Sequence, residues 1–340
     1  MILLVSNPSQ ALGGFSMILT GALAHGMKGL GQIFYYATPI MLTGLSVGFA
    51  FKTGLFNIGA SGQFIIGAFA SVYVGITMTA LGPVHWLVGV IASIIAGGLW
   101  ALIPGILKAY ANVNEVISCI MMNYIGMYAV NSLVKENPVL FDQAKNQSYS
   151  VAQSAVLPKL GLDKIFVGSS VNSGILIAIL AVIIMHIILN KTVFGFELKA
   201  VGLNHNASKY AGVNEKMNII LAMVIAGALS GLGGGLLYLA GSGKHIEILE
   251  VLADEGFTGM SVALLGLSNP LGVLVAALFI AYITEGGFYL QLFDFAPEII
   301  DIIIAVIIYF SAFALLFQAI IKHFVTKRSA KESGKGETLS

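Results

Sequence analysis

The sequence predicts an all-α fold, a polytopic transmembrane bundle of about eight to ten membrane segments, some of them broken or re-entrant. Three observations carry this expectation. The 340 residues are 57% hydrophobic and only 10% charged, with a mean hydropathy of +0.91, where a soluble domain carries about 25% charged residues. The apolar residues come in runs long enough to cross a bilayer, which takes about 20, and not in the period-two alternation of a transmembrane β-barrel. The 40 glycines suit helices that pack backbone to backbone in lipid.

Taken in order, residues 11–27 form a weaker apolar segment, so 1–29 is expected to be an outer or re-entrant N-terminal piece. Membrane helices are expected at 30–51, 58–80, 84–107, 116–134, 173–190, 217–239, 271–287 and 298–321. Residues 256–267 are apolar but too short to span, and they read as a half-helix before the turn at Ser268-Asn269-Pro270. The membrane region thus covers 30–321. It is interrupted by a long loop at 135–172 and a polar loop at 191–216, and a basic tail follows at 322–340. MILLVSNPSQ has no positive n-region, so a cleaved signal peptide is not indicated. Cys119 is the single cysteine. It lies in an apolar run and is expected to be a small buried residue; no disulfide framework can form within the chain.

Charge sets the orientation. Placing Lys52, Lys108, the 191–216 loop and the tail on the cytoplasmic side puts 11 of the 17 basic residues there, as the positive-inside rule requires. The loop 135–172 is then external and the C-terminus cytoplasmic. Net charge is +1, so no nucleic-acid surface is expected.

Four stretches carry more than composition. In GLFNIGASGQ (54–63), Gly54, Gly59 and Gly62 each weaken a helix by up to about 1 kcal/mol relative to Ala. Asn57 and Gln63 flank the break with amide groups, and Phe56 lies beside them. Irregular backbone at membrane depth is tolerated where protein or a water-filled cavity covers it. The stretch therefore reads as part of a translocation path, or else as a tight cytoplasmic turn packed on its glycines. NVNEVISCIMMNYIG (112–126) places Glu115 at a helix start and Asn123 about 12 Å deeper on a similar face, with Tyr124 next to it. Asn123 is read either as a helix–helix hydrogen bond or as a substrate contact. The third stretch is TVFGFELKAVGLNHNASKYAGVN (192–214), which holds a short helix over 204–211. The fourth is GFTGMSVALLGLSNPLGVLVAALF (256–279).

Together these four stretches resemble the permease subunits of bacterial ABC importers in the branched-chain amino acid and simple-sugar permease superfamily, and most of all the nucleoside importer permeases. The resemblance covers roughly residues 30–310. Two residues depart from the pattern: Ser61 stands where Glu is common, and Ser268 where Arg is common. One helix fewer precedes Asn7-Pro8 than the family usually has. The resemblance implies a multi-pass protein of the cell membrane that imports a nucleoside substrate without being an enzyme. It would pair with a second permease subunit, an ABC ATPase subunit that binds the ATP, and a substrate-binding lipoprotein, and it would hold no cofactor or metal of its own. It also implies that the 192–214 loop docks on the ATPase. Gly202, Asn204, His205, Lys209 and Tyr210 are then the coupling residues, with Gly202 supplying a tight turn. On the translocation-path reading of the first two stretches, Asn57, Gln63, Asn123, Phe56 and Tyr124 are the substrate-path residues.

Gly227, Gly231 and Gly235 recur every four residues and predict a helix-packing face. GSGKH at 241–245 lacks the spacing of a phosphate loop, since 238 is Tyr and 245 is His; the chain is not expected to hydrolyse ATP. An importer of the same build for a sugar or a branched-chain amino acid is the nearest alternative. An ion-coupled transporter is a remoter one, with Glu285 and Asp301 as its intramembrane acids.

Overall fold

A computed structural model describes residues 2–296, 298–307 and 309–310. The chain folds as helices α1 (Ile2–Ser6), α2 (Ala11–Ala24), α3 (Met27–Lys52), α4 (Ala60–Thr77), α5 (His85–Ala111) and α6 (Glu115–Lys135). A two-residue hairpin follows, β1 (Phe141–Asp142) with β2 (Gln147–Ser148). The remaining helices are α7 (Leu162–Ile165), α8 (Gly174–Lys191), α9 (Val193–Leu203), α10 (His205–Tyr210), α11 (Glu215–Tyr238), α12 (Asp254–Leu265) and α13 (Pro270–Phe288). Among the described residues, seven helices are long and apolar enough to cross a bilayer: α3, α4, α5, α6, α8, α11 and α13. Residues 299–307 are helical. The rest of the helix expected at 298–321, from 311 on, and the basic tail 322–340 lie outside the described residues.

The bundle is built around α11. One face of α11 meets α5, another α4 and a third α3, and small residues line the contacts. A Cβ on Gly231 would lie 2.9 Å from the Cα of Gly97, and one on Gly67 2.7 Å from the carbonyl carbon of Gly231. A Cβ on Gly227 would overlap the backbone of Gly97, and one on Gly235 would lie 2.6 Å from the Cβ of Ser93. The predicted glycine face is therefore the meeting line of helices, where backbones approach too closely for any side chain. The apolar core wraps this line, with Met41, Leu42, Phe49, Met223 and Leu236 among its fully buried side chains.

α2 lies across the start of α3 and the end of α13. The Tyr282 hydroxyl donates to the carbonyl of Leu19, the rings of His25 and Tyr289 stack at 4.4 Å, and a second small core forms around Ile18, Ile283 and Leu290. At the opposite end, Lys108 pairs with Glu115 at 2.9 Å, and the Lys216 ammonium sits over the Tyr110 ring. Glu115 is thus a helix-start residue whose charge is matched by the end of the preceding helix.

The polar loop 191–216 differs from expectation. It holds an 11-residue helix, α9, before α10. Thr192 caps α9 by accepting from the Gly195 N–H, and Asn204 caps α10 by accepting from Ala207 N–H. Gly202 does not supply the expected tight turn. It is a helical residue near the end of α9, not a turn residue, and its lack of a side chain serves a close backbone approach.

Candidate translocation and coupling site

The site begins where α3 stops. Gly54 takes a left-handed φ of +76°, and the amides of Thr53, Gly54 and Leu55 fold back onto the carbonyls of Ala50 and Phe51. This is a glycine helix stop, followed by the buried side chain of Leu55. Instead of leaving the bundle, the chain turns back into it. Asn57 Nδ2 donates to Ser46 Oγ at 3.2 Å, and Ser46 lies six residues above the end of α3, about 9 Å along its axis. α4 then starts at that depth.

The two amide side chains at the break pair with each other. Asn57 Nδ2 donates to Gln63 Oε1 at 2.9 Å, and Gln63 Nε2 donates to Asn57 Oδ1 at 3.0 Å. Cys119 Sγ lies 3.8 Å from Asn57 Oδ1. Asn123 reaches across from α6: its Oδ1 accepts from the Gly62 N–H at 2.7 Å, and its Nδ2 donates to the Ile58 carbonyl at 2.9 Å. Asn57 is 0% and Asn123 1% exposed. A buried amide with all partners made is stabilising, whereas one left unpaired would cost several kcal/mol at hydrocarbon depth. The Ser230 hydroxyl donates to the Ala60 carbonyl at 2.6 Å and ties the start of α4 to α11. Phe56 is half-buried edge-on to Phe51, their centroids 5.0 Å apart. Tyr124 is 48% exposed on the outside of α6 and stays apart from the network.

A second broken element abuts the first. α12 begins at depth: the Thr43 hydroxyl donates to the Glu255 carbonyl at 2.8 Å, and the Ser61 hydroxyl donates to the Ala253 carbonyl at 2.8 Å. A Cβ on Gly256 would lie 2.5 Å from the Cα of Ser61. This is the half-helix expected at 256–267, shifted by two residues. Its far end returns to the end of α3, where Lys52 Nζ is 3.5 Å from the Leu267 carbonyl. Leu267 and Ser268 both have positive φ there, +56° and +51°, an arrangement disfavoured for residues with a side chain. Asn269 then caps α13. At the start of α12, Lys244 pairs with Glu255 at 2.9 Å, and the Tyr35 hydroxyl is hydrogen-bonded to Ser242 at 2.7 Å. The lysine of GSGKH is thus neutralised locally.

The α9–α10 element lies at the end of the bundle where α3 stops. Asn218 Nδ2 donates to Glu197 Oε2 at 3.2 Å, and Lys199 Nζ donates to Asn190 Oδ1 at 3.1 Å. Of the expected coupling residues, Asn204 is a cap, His205 and Lys209 lie in α10, and Tyr210 projects outward, 94% exposed. Leu203, the last residue of α9, is 87% exposed. Gly202 faces the other way. A Cβ there would lie 2.6 Å from the Lys52 carbonyl oxygen and 2.8 Å from the Gly54 nitrogen.

A family model described as the branched-chain amino acid transport system / permease component matches residues 29–312. The chain belongs to that family. Among individual relatives of this transport permease, the guanosine ABC transporter permease protein NupP of Bacillus subtilis is 39% identical over 93% of this chain and 90% of its own length. The nucleoside ABC transporter permease protein NupB of Lactococcus lactis is 35% identical over 99% of this chain and 93% of its own. The glucose ABC transporter permease protein TsgB13 of Haloferax volcanii is 32% identical over 83% and 75%. No solved structure matches the chain. The sequence motifs located both broken elements of this permease, but not Ser46, Thr43 and Ser230, the hydroxyls that brace them. Each lies inside a long apolar run, where a single hydroxyl gives no signal.

Proposed function

We propose that this permease carries nucleosides inward as one half of the membrane path of an ATP-driven importer. It pairs with a second permease, an ABC ATPase that docks on α9–α10, and an outer substrate-binding lipoprotein. The observation that carries the substrate class is the 39% and 35% identity, over nearly the whole chain, to permeases named for guanosine and nucleosides. Docking on α9–α10 is supported by the exposed Leu203 and Tyr210, apolar side chains on an element outside the seven spans that a partner would cover.

The test is uptake of labelled guanosine in cells that express the permease with its ATPase, second permease and lipoprotein. Uptake should require all four proteins and be competed by other nucleosides at least tenfold more effectively than by glucose. Glucose competing as well as nucleosides would favour the sugar reading, which the 32% identity to TsgB13 supports.

The orientation gives a second test. With 135–172 outside and the tail inside, an impermeant thiol reagent on intact cells should label Ser150→Cys in a Cys119→Ser background and spare Ser333→Cys. Ser150 is exposed in the long loop. Labelling of the tail position alone would invert the assignment.

A further inference from the structure

We infer that the side-chain-free contact between Gly202 and residues 52–54 is the joint through which the α9–α10 element moves the re-entrant segment. This rests on the proposed docking of an ATPase on α9–α10. Three features meet at this point. First, the contact is backbone on backbone from both sides: a Cβ on Gly202 would lie 2.6 Å from the Lys52 carbonyl oxygen, and one on Gly54 would lie 3.1 Å from the Gly202 Cα. No side chain intervenes to rotate away, so a displacement of α9 must move residues 52–54 or break the contact. Second, Gly54 is the left-handed pivot of the break, and only two residues separate it from Asn57. Asn57 belongs to the hydrogen-bonded unit with Gln63, and α6 holds the same segment through Asn123, which bonds Ile58 and Gly62. Third, Lys52 reaches the Leu267 carbonyl at the foot of α12, whose upper end is bound to Ser61. One contact therefore reaches both broken elements, and each of them is tied to the other at mid-depth.

Gly195 supplies the comparison. It makes an equally close backbone contact, a Cβ there lying 2.7 Å from the Leu189 Cα, but this joins α9 to α8 and not to the backbone of residues 52–54. Close packing alone makes Gly195 and Gly202 equivalent. A transmitting joint makes them different.

The experiment uses the complete complex in proteoliposomes, with guanosine uptake and ATP hydrolysis measured on the same samples. The maleimide reactivity of Cys119, buried beside Asn57, is read by mass spectrometry of its peptide. In the wild type, Cys119 should react at least fivefold faster during turnover than at rest. Gly202→Ala should lower the ratio of guanosine moved to ATP hydrolysed at least tenfold, with the ATPase still bound and Cys119 held at its resting rate. Gly54→Asn tests the other side of the joint, since asparagine tolerates the left-handed region, and the same loss is expected. Gly195→Ala should lower uptake and hydrolysis together and leave their ratio unchanged. The inference is overturned if wild-type Cys119 does not respond to turnover. It is equally overturned if Gly202→Ala or Gly54→Asn keeps the wild-type ratio, or if Gly195→Ala loses it. A wild-type complex that hydrolyses ATP but moves no nucleoside would instead sink the functional reading.

Discussion

Gly97→Ala should remove most of the folded protein, whereas Gly98→Ala, one residue further along the same helix, should be neutral or slightly stabilising. Both residues lie in the middle of α5, and both substitutions add the same methyl group. At Gly97 that methyl would overlap the Gly227 carbonyl oxygen and lie 2.7 Å from the Gly231 Cα. Every neighbour is backbone, so relief requires separating α5 from α11 along the line that holds the bundle together. Overpacking a well-filled core costs about 1–3 kcal/mol and sometimes more; with no side chain able to yield, the upper end applies. Lipid offers no hydrophobic force to push parted helices back together. At Gly98 the nearest atoms lie at 3.4–3.6 Å, ordinary contact, and replacing Gly by Ala within a helix gains roughly 0.5–1 kcal/mol. Thermal unfolding of the solubilised protein reads both. Equal melting temperatures for the two variants would mean that α5 and α11 are not in backbone contact.

How much was legible in the sequence depended on whether a feature is local. The spans came from apolar runs, the half-helix α12 from a run too short to cross, and the glycine face of α11 from four-residue spacing. The break at 54–59 was visible because three glycines and two amides in ten residues have no use on a lipid-facing helix. What was not legible was pairing across distance. Asn57 and Gln63 read as amides available to a ligand, yet each is the other's reciprocal hydrogen-bond partner. Nothing local says that a chain leaving α3 will turn back far enough for this to happen. The same limit hid α9. Gly195 and Gly202 lower its helix propensity, and its length, polarity and charges read as a loop. The helix is held by α8 and by residues 52–54, against which those same glycines pack. Gly202 was found, but for the wrong physical reason: a glycine needed for a turn and one needed for close approach look identical in one dimension.

Asn123→Leu should destabilise the protein, while Tyr124→Leu, its neighbour, should not. Leucine shares asparagine's branching at Cγ and suits a membrane helix, but it is bulkier, so overpacking of this buried site adds to the loss of the amide. Its loss strands the Gly62 N–H, one of the free amides at the start of α4, and the Ile58 carbonyl, both otherwise paired with Asn123. A buried group left without its partner costs about 1–3 kcal/mol, so two such groups lower the melting temperature clearly. Tyr124 is half exposed and outside the network, and replacing it should stay within about 0.5 kcal/mol. The paired amides add a stricter test. Asn57→Leu strands Gln63, and Gln63→Leu strands Asn57, so the double variant should cost less than the two single variants combined, with a coupling of about 0.5–3 kcal/mol. Strict additivity would mean that the two amides are not bonded to each other in the membrane. The series also separates the two roles open to these residues. If uptake and melting temperature fall together in Asn57→Leu, the network acts by holding the re-entrant segment in place. If the variant keeps its melting temperature and loses uptake, Asn57 leaves Gln63 during transport and turns its amide toward the passing nucleoside.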